Sequence, residues 1–129
     1  MVVKILDQTG AGKITNEISV TFSRERLTVK DIIEARVSEE VELYNKKLPD
    51  YFSGLIQPPS AESTLNGYRM KDRKKIDAEK QIYVALDAFL KNGFFMLIDN
   101  KQVESLEQEV LVSSNTTISF VKLTPLVGG

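Results

Sequence analysis

Phe94-Phe95-Met96-Leu97-Ile98, then Asp99-Asn100-Lys101, then Gln102-Val103, is the stretch that decides the fold. Five consecutive apolar residues are too short a run for a helix and fit a strand covered on both faces. Asp99-Asn100-Lys101 is turn chemistry, so Gln102-Val103 begins a short return strand. Glu104 to Val112 is mixed and fits either a turn of helix or a short strand. Ser113-Ser114-Asn115 is another turn. Thr116 to Leu123 reads as the last strand, with Ile118 and Phe120 on one face. Pro125 has no N–H to donate and ends the ladder. Leu126-Val127-Gly128-Gly129 follows as a tail.

Towards the N-terminus, Val2-Val3-Lys4-Ile5-Leu6 is rich in β-branched residues and is bounded by Gly10 and Gly12, a strand and a turn. From Ile14 to Phe22 the alternation predicts a half-buried antiparallel strand. Ile14, Ile18, Val20 and Phe22 share one parity, interrupted only by Asn16, and the pair forms a hairpin. Thr28 with Asp31 three residues on is a capping-box start. Val29, Ile32, Ile33, Val37, Val41, Tyr44 and Leu48 then recur at helical steps and predict about five turns. Glu34, Arg36, Glu39, Glu40, Glu42 and Lys46 are expected on the opposite, solvated side. Pro49 marks the end.

Residues 49–93 read as an insertion. Pro49, Gly54, Pro58, Pro59 and Gly67 make 49–76 a long loop, uncommon in a compact domain and usually functional or disordered. It closes on a basic cluster of Arg69, Lys71, Arg73, Lys74 and Lys75. A second helix over 77–92 starts at Asp77 as N-cap. Its apolar face is Ile82, Ala85, Leu86, Phe89 and Leu90, and Asn92-Gly93 stops it, with Gly93 suited to a left-handed position.

The 129 residues amount to a single domain, 1–129. Hydrophobic residues are 42% and charged residues 27%, as in an ordinary globular protein. No run approaches the roughly 18 apolar residues of a membrane span, and no signal-peptide pattern opens the chain, so a cytoplasmic, membrane-free protein is expected. A net charge of -1 gives no field favouring nucleic acid. There is no Cys, His or Trp. Cys and His nucleophiles, His-dependent triads and the usual zinc, haem and iron–sulfur ligands are therefore excluded. The balance moves away from an enzyme and towards a carrier, binding or substrate protein that itself binds no metal or cofactor.

Each short motif has an ordinary reading beside its functional one. Gly10-Ala11-Gly12-Lys13 superficially suggests a phosphate loop. The required first Gly is Asp7, Ile14 follows the Lys, and a strand follows rather than a helix, so it is a hairpin turn. Arg69 to Lys75 is a solvated loop end or a docking surface for an acidic partner. Glu39, Glu40 and Glu42 alternate with basic residues and form no paired catalytic site. Gly128-Gly129 is a slim end expected by chance in about one chain in two hundred. Two residues without side chains can thread a narrow tunnel and present an unhindered carboxylate.

The order strand, strand, helix, strand, short strand, strand, ending in Gly-Gly, resembles the β-grasp fold of ubiquitin and of the sulfur carriers of thiamine and molybdopterin synthesis. Met96 to Val103 resembles the ubiquitin strand, turn, Lys-Gln and return, and Asn115 to Leu123 resembles its last strand. Thr124 to Gly129 is closer to the sulfur-carrier tails. The pattern is also similar to bacterial ubiquitin-like proteins encoded beside E1-like, E2-like and isopeptidase-like genes. The resemblance covers about 1–48 and 94–129. The insertion 49–93 departs from it.

The resemblance implies an α+β, β-grasp mixed sheet packed on a helix. It implies that an E1-like enzyme, using its own ATP and magnesium, adenylates the Gly129 carboxylate. A modifier then passes through thioesters on activating and E2-like conjugating enzymes to a target protein, and an isopeptidase-like protease acts on it. A sulfur carrier receives a terminal thiocarboxylate instead. A third reading is a non-conjugated interaction module that docks through Arg69 to Lys75. By the same resemblance, Leu97, Leu123, Leu126 and Val127 contact partners, and Lys101 matches a chain-linking lysine.

Overall fold

In a computed structural model, residues 1–47, 51–52, 61–64, 67–70 and 76–123 are described, with side chains for 1–46 and 76–123. Strands β1 (Val2–Thr9) and β2 (Ile14–Thr21) form the expected hairpin, and β1 runs three residues further than its apolar run. Gly12 takes a φ of +88°, and the turn closes with Thr9 N–H donating to Lys13 O at 2.9 Å. Ile18, Val20 and Phe22 are buried as predicted, whereas Ile14, beside the register shift at Asp7/Gln8, is exposed.

Strand β3 (Arg26–Thr28) leads into helix α1 (Val29–Lys47). The helix start shows why these residues begin it. Thr28 N–H donates to Asp31 Oδ2 at 3.0 Å, and Asp31 N–H donates to Thr28 Oγ1 at 3.1 Å, the reciprocal pair expected of a capping box. The next two N–H groups, of Val29 and Lys30, donate to Gln108 O and Leu106 O, each at 3.0 Å. The donors that a helix start leaves without intrahelical partners are thus satisfied, two of them by a segment nearly eighty residues away.

Residues 49–76, read from sequence as a loop, contain strands β4 (Tyr51–Phe52), β5 (Ala61–Thr64) and β6 (Gly67–Met70). They form an antiparallel three-stranded sheet of their own, in the order β4-β6-β5. Strands this short carry no period that a pattern can reveal. Helix α2 (Ala78–Leu90) has Asp77 as its N-cap, as predicted, accepting from Glu79 N–H at 3.0 Å. Its C-terminal stop differs in detail. Asn92, not Gly93, holds the left-handed conformation, at φ 60°. Gly93 sits close to the helix, where a Cβ would lie 3.2 Å from Ala88 O, a tight contact. Asn45 grips the backbone of Ile76 with both amide atoms, at 2.8 and 3.0 Å, and ties the end of the segment 49–76 to α1.

The chain continues through β7 (Phe94–Ile98), β8 (Lys101–Gln102), β9 (Glu109–Leu111) and β10 (Ile118–Lys122). Asp99 and Asn100 both have positive φ, which the Asp-Asn turn tolerates. Strand β9 pairs with β3. The main sheet is mixed and five-stranded, in the order β2-β1-β10-β7-β8; β1 and β10 are parallel and the other pairs antiparallel. The architecture is α+β: α1 lays Ile32, Ile33, Val37 and Tyr44 into one core with Val3, Ile5, Met96, Ile118 and Phe120. From α2, Ala85 and Phe89 join that core, and Phe89, Phe94 and Phe120 form an aromatic chain with centroid spacings of 5.8 and 5.4 Å. Leu90, expected on the apolar face of α2, is 65% exposed.

Candidate functional site

Alternate residues of β10 point to opposite sides of the sheet. The inner face carries Ile118, Phe120 and Lys122, and the outer face Ser119, Val121 and then Leu123.

On the inner side lies a buried ionic cluster. Asp7 shares the core-facing parity of Val3 and Ile5, and Arg36 and Glu40 sit one turn apart on α1. Their side chains are 1%, 0% and 3% exposed. Arg36 Nη1 donates to Asp7 Oδ1, and Nη2 donates to Asp7 Oδ2 at 2.7 Å. Its Nε donates to Glu40 Oε1 at 3.0 Å, and Nη2 also reaches that oxygen. Asn16 Nδ2 adds a donor to Asp7 Oδ2 at 3.3 Å, and the guanidinium lies 4.8 Å from the centroid of the Phe120 ring. Burial by itself pushes the guanidinium down, but the hydrogen bonds and charges of Asp7 and Glu40 outweigh it and raise Arg36 above its ordinary value.

One cation against two carboxylates leaves a net negative charge, and Lys122 lies within electrostatic reach of all three. Burial pushes its ammonium below the usual lysine range, Asp7 and Glu40 pull it back, and Arg36 adds to the lowering. The cluster therefore joins β1, α1 and the end of β10.

Arg36 and Glu40 correct the expectation of a solvated face. Arg36 and Glu40 continue the stripe of Val29, Ile32, Ile33, Val37, Val41 and Tyr44 at three- and four-residue steps. The signal was there in the period, and residue type concealed it.

The outer face is mixed, with apolar side chains on β7 and β10 beside polar and charged ones on β1 and β2. Leu6, Ser119, Leu97 and Gln102 form one rung across four strands, and Gln8, Val121 and Phe95 form the next. Gln8 Nε2 is 3.2 Å from Ser119 Oγ, at the centre of this face. Leu6, Phe95, Leu97 and Val121 are half-buried, and Leu123 is 43% exposed. Leu97 and Leu123 thus share a face, separated by four residues of β10, about 13 Å. Phe95 also borders a cleft between the end of α2 and the start of β7, which Leu90 and Val103 line.

The other expected positions fall differently. Leu126, Val127, Gly128 and Gly129 lie outside the described residues, as do Lys71, Arg73, Lys74 and Lys75. Arg69 is on β6, opposite Tyr51 and Glu62. Lys101 opens β8 and is exposed. Among the described residues, no helix is long and apolar enough to cross a membrane, and no cluster of three or more acidic side chains could hold a metal ion. No protein-family model, curated protein or solved structure matches this chain.

Proposed function

We propose that this chain is a ubiquitin-like modifier of the β-grasp class, activated at the carboxylate of Gly129. One observation carries the reading: β10, the strand before the tail, lies in the middle of the mixed sheet, parallel to β1, with α1 across the inner face. A central strand pinned on both edges gives a tail a rigid departure point. The outer-face leucines supply an apolar grip beside it, of the kind a partner enzyme needs to orient a terminus.

An E1-like enzyme, supplying ATP and magnesium, joins the Gly129 carboxylate to the nucleotide with loss of pyrophosphate. A thiol of that enzyme displaces the nucleotide, an E2-like enzyme takes the acyl group, and a target amine receives it. Gly129 enters this sequence with its carboxyl exposed by translation or by an isopeptidase-like protease. The chain is substrate throughout, which agrees with its lack of Cys and His.

Intact mass and C-terminal peptide sequencing of the protein from its own host test the proposal. A Gly128-Gly129 remnant on a lysine supports the modifier. A mass gain of one sulfur for one oxygen replaces it with the sulfur carrier. An unmodified tail, together with activation by an E1-like partner that persists after deletion of Gly129, overturns both.

A further inference from the structure

Helix α2 is apolar on two sides. Its inner side seats Ala85 and Phe89 in the core. Its outer side presents Tyr83, 72% exposed, Val84, 47%, and Leu90, 65%. Lys80, Tyr83, Val84, Asp87, Leu90 and Lys91 fall at three- and four-residue steps, a second stripe on the side away from the core. Tyr83 and Leu90 lie two turns apart along this side, with Val84 next to Tyr83 and the charges of Lys80, Asp87 and Lys91 among them.

We propose that this face of α2 pairs with the same face of a second copy of the chain, antiparallel, about a two-fold axis passing between Tyr83 and Val84. Charge complementarity supports this occupant and this register. In a two-fold contact, residue i meets residue j and j meets i. With the axis there, Tyr83 meets Val84 of the second copy, and Val84 meets its Tyr83. Lys80 comes opposite Asp87 of the second copy, twice over. Asp77 comes opposite Leu90 of the second copy and, with Glu79, beside that copy's Lys91 at the C-cap. The antiparallel arrangement also opposes the two helix dipoles. An axis through Asp87, or a parallel pairing, would bring like charges together. Within each helix Lys91 holds Asp87 at 2.9 Å, so that carboxylate accepts from two ammonium groups at the contact. The pairing is independent of the tail chemistry proposed above.

Sedimentation equilibrium of the full chain tests it. The expected result is a dimer that dissociates on dilution. Lys80→Asp or Asp87→Lys alone weakens it about tenfold or more, and the double reversal restores it. Tyr83→Ser weakens it without altering the far-ultraviolet circular dichroism. Because the chain has no Cys, Val84→Cys introduces a single thiol beside the axis, and mild oxidation cross-links it. Leu111→Cys, 67% exposed on β9, gives a control thiol that stays uncoupled. A monomer at every concentration up to about 1 mM overturns the proposal. So does a dimer indifferent to the charge reversals, or one that cross-links at Leu111→Cys and not at Val84→Cys.

Discussion

Replacing Arg36 with methionine removes the guanidinium that hydrogen-bonds both buried carboxylates and leaves them the Lys122 ammonium within electrostatic reach. Arg36 donates to Asp7 through both terminal nitrogens and to Glu40 through Nε and Nη2, and all three side chains are almost fully buried. Methionine fills much of the same volume, so the cavity contribution is small. The dominant effect is two carboxylates left in a poorly solvated space, worth about 3–5 kcal/mol when one partner of a buried pair is removed. Loss of the contact of this buried guanidinium with the Phe120 ring adds up to about 2 kcal/mol. Against a total stability of roughly 5–15 kcal/mol, the variant is severely weakened but measurable.

Urea unfolding followed by circular dichroism suits a chain without Trp. The expected result is a lower midpoint at an unchanged slope, with a thermal midpoint lower by roughly 10–20 °C. Arg36→Lys recovers part of the loss, because an ammonium keeps the charge but cannot fork to both carboxylates. A companion variant with Asp7→Leu, Arg36→Met, Glu40→Leu and Lys122→Met removes the charges together. It is expected to be neutral or up to about 4 kcal/mol more stable. An Arg36→Met variant within about 1 kcal/mol of the parent refutes the reasoning, as does a fourfold variant as damaged as the single one.

Four further outcomes follow from the cap, the insertion and the outer face. Thr28→Ala costs about 1 kcal/mol. The hydrogen bond from the Thr28 N–H holds the Asp31 carboxyl below its ordinary value, so its stabilisation is present above the usual carboxylate range and lost as pH falls through the lowered value. Asp31→Asn is accordingly less stable than the parent at pH 7, and the gap closes on acidification, as pH-dependent unfolding would show. Asn45→Ala frees the two backbone groups of Ile76, costing about 1–3 kcal/mol, and hydrogen exchange at the Ile76 amide rises by more than global unfolding explains. Leu123→Asp leaves the melting temperature unchanged, because the side chain is 43% exposed, yet weakens capture by an E1-like partner; equal capture would remove Leu123 from the contact.

Much of the fold was legible because it depends on neighbours in sequence. The turn at Asp99-Asn100, the hairpin about Gly12, the capping box at Thr28 and the stripe of α1 are decided within a few residues, where backbone preference and period act directly. Strands β4, β5 and β6 were not legible, being two to four residues long and stabilised by each other. Strand β3 was missed for the same reason, since its partner is β9. For the candidate site, Leu97 and Leu123 came from the resemblance alone, Arg36 and Glu40 were read as part of a solvated face, and Asp7 was given no role.

By itself, the sequence determined a chain without Cys or His chemistry, two amphipathic helices with their caps, and strands separated by turns. Each follows from residue type or from periods acting over one or two turns of chain. Tertiary structure alone decided that β10 enters between β1 and β7, because pairing across more than a hundred residues depends on which edges the folded core leaves open. It also decided that Asp7 and Arg36 are buried together, because an ion tolerates the interior only when its partner arrives from another element, here 29 residues away.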